Sequence, residues 1–110
     1  MNYQHKELAA GRWNKFSFLE QMANIGSEIE RALKWRTKRN AVYCQKAFER
    51  ALELLDLTLD NTKKFSRLKE LTRLREAVVD YFSGTNEFIS SESSWQKYFS
   101  SFTYAARRNH

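Results

Sequence analysis

Residues 40–59, NAVYCQKAFERALELLDLTL, decide the fold. Ala41, Cys44, Ala47, Phe48, Ala51, Leu54, Leu55 and Thr58 recur along this stretch at helical spacing and fall on one face, while Lys46, Glu49, Arg50 and Glu53 fall on the other. An amphipathic helix with one apolar face needs partners to bury that face, so the flanking sequence must supply further helices or strands.

Upstream, Ser17-Phe18-Leu19-Glu20 has the form of a capping box, in which the Ser hydroxyl and the Glu carboxylate satisfy each other's free backbone donors. Leu19, Met22, Gly26, Ile29 and Leu33 follow at steps of three and four, with Phe18, Ile25 and Ala32 on the flank, and this first helix ends near Thr37. A glycine inside a helix costs about 1 kcal/mol relative to alanine. Gly26 is therefore expected to let a neighbouring helix approach closely.

Downstream, Asp60-Asn61-Thr62 supplies turn chemistry, and Leu68, Leu71, Leu74, Val78 and Phe82 mark a third helix that Ser83-Gly84-Thr85-Asn86 stops. Residues 86–94 are rich in serine and read as a loop. Trp95, Phe99, Phe102 and Ala106 then form an aromatic stripe on a fourth helix ending in Arg107-Arg108. Short connections make sequential helices antiparallel, so the chain is expected to be all-α, an up-down-up-down four-helix bundle over residues 16–110. Residues 1–15 lie outside this scheme, and Tyr3, Leu8 and Trp13 predict an N-terminal arm that packs on the bundle or on a partner.

Composition agrees with that reading. The 110 residues hold three Gly and no Pro, against roughly 8 and 5 at average usage, so the punctuation of many-stranded sandwiches and barrels is missing. A hydrophobic content of 42% is too high for a disordered segment. The apolar runs are far shorter than the ~20 residues of a membrane span, so no membrane contact is expected. A lone Cys44 forms no internal disulfide, and Met1-Asn2-Tyr3-Gln4-His5 lacks the basic start and apolar stretch of a secretory signal, which predicts a cytoplasmic location.

Catalytic constellations are thin. The two histidines, His5 and His110, stand at the termini, away from any core that would hold them in a catalytic geometry. Cys44 lies on the apolar face of the second helix and reads as an inert thiol. There is no Gly-rich phosphate loop, paired-cysteine metal site or Glu-x-x-His spacing. No catalytic residue, metal or cofactor is expected, and the protein is read as a non-enzyme.

Glu28, Glu30, Glu49, Glu53 and Asp56 could in principle collect a cation, but most of them read as solvated faces. Arg75 differs: at about 40° from Leu71 on the helical wheel, it sits inside the stripe of Leu68, Leu71, Val78 and Phe82. It must be paired or exposed, and a structural ion pair with Glu30 or Glu53 is the expectation.

The formal charge of +6, from 19 Lys and Arg against 13 Asp and Glu, is distributed unevenly. Arg31, Lys34, Arg36, Lys38 and Arg39 gather at the first turn with no acid between them. Lys63, Lys64, Arg67 and Lys69 begin the third helix and lie at the other end of an antiparallel bundle, near Arg107, Arg108 and Lys15. Trp35 falls about 200° from the centre of its helix's apolar stripe, among Lys34 and Arg36, a pairing suited to stacking on a base or gripping a backbone. Lys34, Trp35, Arg36, Lys38, Arg39, Lys63, Lys64 and Arg67 are thus the expected nucleic-acid contacts, to RNA or DNA. The alternative is that Trp13, Trp35 and Leu57, with Tyr3, bury against a second copy or another protein and the charge serves solubility.

The strings Phe18-Leu19-Glu20-Gln21-Met22-Ala23-Asn24-Ile25-Gly26-Ser27-Glu28, Ala51-Leu52-Glu53-Leu54-Leu55-Asp56-Leu57-Thr58 and Arg67-Leu68-Lys69-Glu70 resemble a family of small prokaryotic helical-bundle proteins without an assigned activity. That resemblance covers about Phe16 to Arg108 and implies no catalytic or binding residue. In architecture alone the chain is similar to basic four-helix bundles such as the 23S rRNA intervening-sequence proteins and the accessory protein of diversity-generating retroelements, which implies oligomers and RNA binding. The Arg-x(4–6)-His signature of the HEPN ribonucleases is absent, since Arg107 and Arg108 stand too close to His110. These expectations converge on a self-associating, non-enzymatic accessory or adaptor that contacts nucleic acid or a nucleoprotein partner. A protein-interaction module is the alternative.

Overall fold

The computed structural model describes residues 11–108. A short 3-10 turn, Arg12–Lys15, precedes four α-helices: α1 (Phe18–Thr37), α2 (Ala41–Asn61), α3 (Phe65–Ser83) and α4 (Glu92–Arg108). The described residues form no strand.

Local chemistry sets the boundaries. Ser17 Oγ accepts the Glu20 backbone N–H at 3.2 Å and Glu20 Oε1 accepts that of Ser17 at 2.9 Å, which completes the capping box at the start of α1. Its far end turns through Arg39, at φ 58°, and the Asn40 N–H reaches back to the Trp35 carbonyl at 2.9 Å. This closes the helix in the manner of a Schellman motif. Asn40 then caps α2 by accepting the Tyr43 N–H on Oδ1 at 3.1 Å.

The fourth helix starts inside the serine-rich segment read as a loop. Ser91 Oγ accepts the Ser94 N–H at 3.1 Å while Ser94 Oγ accepts the Ser91 N–H at 2.8 Å. Serine takes the place of the usual Glu or Gln in a reciprocal cap, and this nucleates a turn ahead of Trp95.

Contacts along the helices fix their directions. Phe48 meets Phe82 at 5.4 Å between ring centroids, and Asp56 meets Arg75 at 2.7 Å, so α2 and α3 run antiparallel. Trp35 lies beside Tyr43 at one end of the α1–α2 pair, while Trp13, just ahead of α1, reaches Thr58 near the end of α2. Phe18 meets Phe102, late in α4, and Trp95, early in α4, meets Tyr81, late in α3. The result is the expected antiparallel four-helix bundle, with a radius of gyration of 13.6 Å that is normal for a domain near 100 residues.

The core is centred on α1 and α2. Met22, Ile25, Ile29, Ala51, Leu55, Leu71 and Val78 are sealed from solvent, with Trp95 and Phe99 closing the α4 side. Gly26 lets α4 come close: a Cβ built at that position would stand 2.8 Å from Phe99 Cβ. The two later helices bury less than α1 and α2: α3 only Leu71, Leu74 and Val78, and α4 only Trp95, Phe99 and Ala106.

The connection from α3 to α4 is tied to one carboxylate. Asp80 accepts the Glu87 N–H on Oδ1 at 2.8 Å and the Phe88 N–H on Oδ2 at 3.0 Å. Asn86 and Ser90 exchange two further hydrogen bonds. None of the described helices is long and apolar enough to cross a membrane.

Candidate nucleic-acid interface

The first cationic cluster is assembled by the turn between α1 and α2. From Arg31 to Phe48 the chain carries six cations, Arg31, Lys34, Arg36, Lys38, Arg39 and Lys46, and no carboxylate. All six are exposed. Trp35 is half-buried because Tyr43, from the start of α2, packs edge-to-face on it with ring centroids 4.8 Å apart. Lys38 Nζ stands 5.2 Å from the Trp35 ring centroid and Lys46 Nζ 5.7 Å from that of Tyr43. A pair of aromatic rings flanked by ammonium groups is thus built on one corner of the bundle, and Tyr43 retains 46% of its exposure.

Arg36 faces the neighbouring side of the same corner. Its guanidinium lies 4.7 Å from the Tyr81 ring centroid and Nη1 donates to the Tyr81 carbonyl at 3.5 Å, which anchors α1 on the end of α3. Stacking fixes the plane of the guanidinium and leaves further N–H donors for other partners. A cavity of about 290 Å³ opens there, walled by Arg36, Arg39, Asn40, Gln45 and Phe82. Cys44 lines it as well. Burial raises its thiol pKa above the ordinary value, and the positive charge of Arg36 opposes that effect only in part, so the group stays a neutral thiol near pH 7.

Lys63, Lys64 and Arg67 are exposed at the opposite end of the bundle, where the Arg67 guanidinium covers the Phe18 ring at 4.5 Å. α1 alone spans ~30 Å at 1.5 Å per residue, so the two clusters are separate surfaces. The second has rings as well, since Phe18 pairs with Phe102 at 6.4 Å and Phe65 is exposed, but the first joins an indole and a phenol at 4.8 Å with an ammonium group over each. Tyr43 and Lys46 belong to it and were missed in the sequence; the wheel that sets Trp35 off its stripe sets Tyr43 off the Ala41–Ala47 stripe too, and that was the available signal.

Four expectations need correction. Trp13 is not an interface residue: it is 1% exposed, and its indole hydrogen-bonds Thr58 in the core. Leu57 is also interior, at 6% exposure, because α2 packs against α1, α3 and the 3-10 turn and so carries a wider apolar belt than its main stripe. Arg75 pairs with Asp56 rather than with Glu30 or Glu53: Nε donates to Oδ1 at 2.7 Å, one turn beyond Glu53, and both side chains keep more than a third of their exposure. Glu28, read as solvated, is buried, with Oε1 accepting from Arg31 Nη1 at 2.8 Å and Oε2 left without a hydrogen-bond partner. Residues 1–10, including Tyr3, His5 and Leu8, lie outside the described residues, as does His110.

No family model, curated protein or solved structure matches this chain. Function must therefore be read from the surface itself.

A second concave region, of about 1030 Å³, separates α3 from α4. Lys69, Arg73 and Leu74 line one wall, Trp95 and Tyr98 the other, and Phe88 and Ile89 stand at its rim. Tyr98 is a weaker acid than usual because of burial first and then the charge and hydrogen bond of Glu70. Among the described residues no group of three or more His, Cys, Asp or Glu side chains is placed to hold a metal ion.

Proposed function

We propose that this protein is a non-enzymatic helical-bundle accessory that contacts nucleic acid through the corner joining α1 and α2. The observation that carries the reading is the Trp35–Tyr43 ring pair, at 4.8 Å, with Lys38 and Lys46 at its rings, on a stretch that carries six cations, Arg31 being paired with Glu28, and no carboxylate. Cations supply the sequence-independent attraction to phosphates, and an accessible aromatic face adds stacking on bases. Lys63, Lys64 and Arg67 form a second cationic surface that would lengthen the path of a long polyanion.

The test is fluorescence anisotropy with labelled RNA and DNA over a salt series. Affinity is expected to fall by roughly tenfold or more between 50 and 200 mM salt as condensed counterions are released. Lys38→Glu with Lys46→Glu should weaken binding further at every salt concentration. An affinity independent of salt, or unchanged by the double charge reversal, overturns the reading.

Self-association through the α3–α4 side is the second reading, favoured by Phe88 and Ile89, which are 54% and 86% exposed at the rim of the large trough. Light scattering coupled to size exclusion tests it. A monomer at high micromolar concentration removes it.

A further inference from the structure

The aromatic pair and the small cavity beside it lie on two sides of one turn, and together they restrict what kind of nucleic acid fits. A duplex presents ribbons of phosphate and narrow base edges, with every base face already stacked. The ring faces of an indole and a phenol find no base face to stack on there, whatever hydrogen bonds their polar atoms make to phosphates. Single strands expose base faces that stack on aromatic side chains whatever their sequence. The cavity walled by Arg36, Arg39, Asn40, Gln45 and Phe82, at about 290 Å³, lies just below the usual range for ligand pockets, ~300–1,000 Å³. It has room for a phosphate and none for a helix.

The backbone of the turn points the same way. Arg39 adopts φ 58°, the left-handed conformation in which a side chain is disfavoured and glycine is the usual occupant at the end of a helix. Glycine would close this turn with less strain. The chain instead places an arginine there, and it lines the same cavity as Arg36.

We infer that the ligand of this corner is single-stranded nucleic acid, with an unpaired base stacked on the Trp35–Tyr43 pair and the adjoining phosphate held by Arg36 and Arg39 across the turn. The inference rests on the reading of this corner as a nucleic-acid interface. Tyr43 offers the open ring surface, and Lys38 and Lys46, loosely placed over the rings at 5.2 and 5.7 Å, move aside for the base and turn to neighbouring phosphates. Arg36, held by Tyr81, is the fixed contact.

The experiment compares a ten-nucleotide RNA without self-pairing, the DNA strand of the same sequence, and the DNA duplex, each labelled, at low and physiological salt. At least one single strand is expected to bind about tenfold or more tightly than the duplex. Tyr43→Ala and Trp35→Ala should each weaken single-strand binding by roughly 5- to 150-fold, the range set by loss of one stacked base, with duplex binding little changed. Arg39→Gly should weaken single-strand binding while the melting temperature stays level or rises, a combination that loss of folding does not produce. Because Trp35 is half-buried, its variant is checked by circular dichroism; Tyr43→Ala carries the test if that variant unfolds. Duplex bound as tightly as either single strand, or a folded Tyr43→Ala that binds like the parent, overturns the inference and leaves the corner a plain phosphate surface. Failure of all three nucleic acids to bind at low salt overturns the underlying reading as well.

Discussion

The Trp13 indole N–H donates to Thr58 Oγ1 at 2.9 Å across 45 residues of sequence, and Thr58 in turn donates to the Leu54 carbonyl at 2.8 Å. Both residues are almost wholly closed to solvent. The hydroxyl is thus donor and acceptor at once, and it pins the segment ahead of α1 to the end of α2. Gln21 supports the same turn by donating from Nε2 to the Trp13 carbonyl at 3.0 Å.

Thr58→Val keeps the shape and removes the acceptor, leaving a buried indole N–H unpaired. The expected loss of stability is about 1–3 kcal/mol, read from urea or thermal unfolding. Thr58→Ser retains both hydrogen bonds and should cost less. A Thr58→Val variant as stable as the parent, with the loss falling on Thr58→Ser instead, would show that the methyl group, not the hydrogen bond, matters at this site.

Gly26→Ala sets helix propensity against packing. Alanine favours the helix by about 1 kcal/mol, but its Cβ would stand 2.8 and 2.9 Å from the Cβ and ring atoms of Phe99. Phe99 Cβ is close to the backbone of α4 and has little freedom to give, so α1 and α4 must separate. A net destabilisation of about 1–3 kcal/mol is expected. A higher melting temperature for this variant would mean that the helices separate at little cost.

Much of this architecture is legible because it is local. The Ser17–Glu20 box, the period of Leu54, Leu55 and Thr58, and the role of Gly26 each follow from residues within a few turns of one another. Two of the failures have a common cause in partners distant along the chain. Trp13 is interior because Thr58 lies forty-five positions away. Leu57 is interior because α2 has neighbours on several sides. The Ser91–Ser94 cap escaped notice because a run of serines reads as loop until two of them exchange hydrogen bonds. At the candidate interface the cations of the first turn could be read directly, whereas the pairing of Trp35 with Tyr43 requires knowing how sharply the chain reverses between them.

Tyr98 makes the alkaline limb of stability predictable in sign. Its phenol pKa in the folded protein is raised above the ordinary tyrosine value of ~10, first by burial and then by the charge and hydrogen bond of Glu70. Below that value both folded and unfolded chains hold the proton and the contribution is complete. As pH rises past it, the unfolded state ionises first, so stability falls from near pH 10 upward. Tyr98→Phe should flatten this decline. In a spectrophotometric titration near 295 nm, Tyr98 should be missing from the tyrosines that ionise before unfolding, and a full count titrating together in the folded state would contradict the assignment.

Arg75 and Asp56 form a short contact, at 2.7 Å, but their side chains retain 40% and 35% of their exposure. Water and salt screen such a pair, so Asp56→Asn is expected to cost under about 1 kcal/mol. The loss should shrink further in high salt. A cost of several kcal/mol would show that this pair is isolated from solvent and fixes the packing of α3 on α2.

Ile89 is the strongest local conflict among the described residues. It adopts φ 53°, which a β-branched residue tolerates poorly, and its side chain is 86% exposed. The loop is held there by its neighbours: Asp80 accepts from Glu87 and Phe88, and the Ile89 N–H donates to the Asn86 carbonyl at 3.0 Å. Replacing Ile89 by Gly removes the clash of Cβ with the backbone and withdraws apolar surface from water. The variant is expected to be more stable by about 1–2 kcal/mol, a rise of several degrees in melting temperature for a chain of this size. If the folded chain instead gains nothing, or loses stability, Ile89 must already be covered in solution. Light scattering on the parent and the variant then distinguishes a covering second copy, which the glycine would release, from packing within one chain.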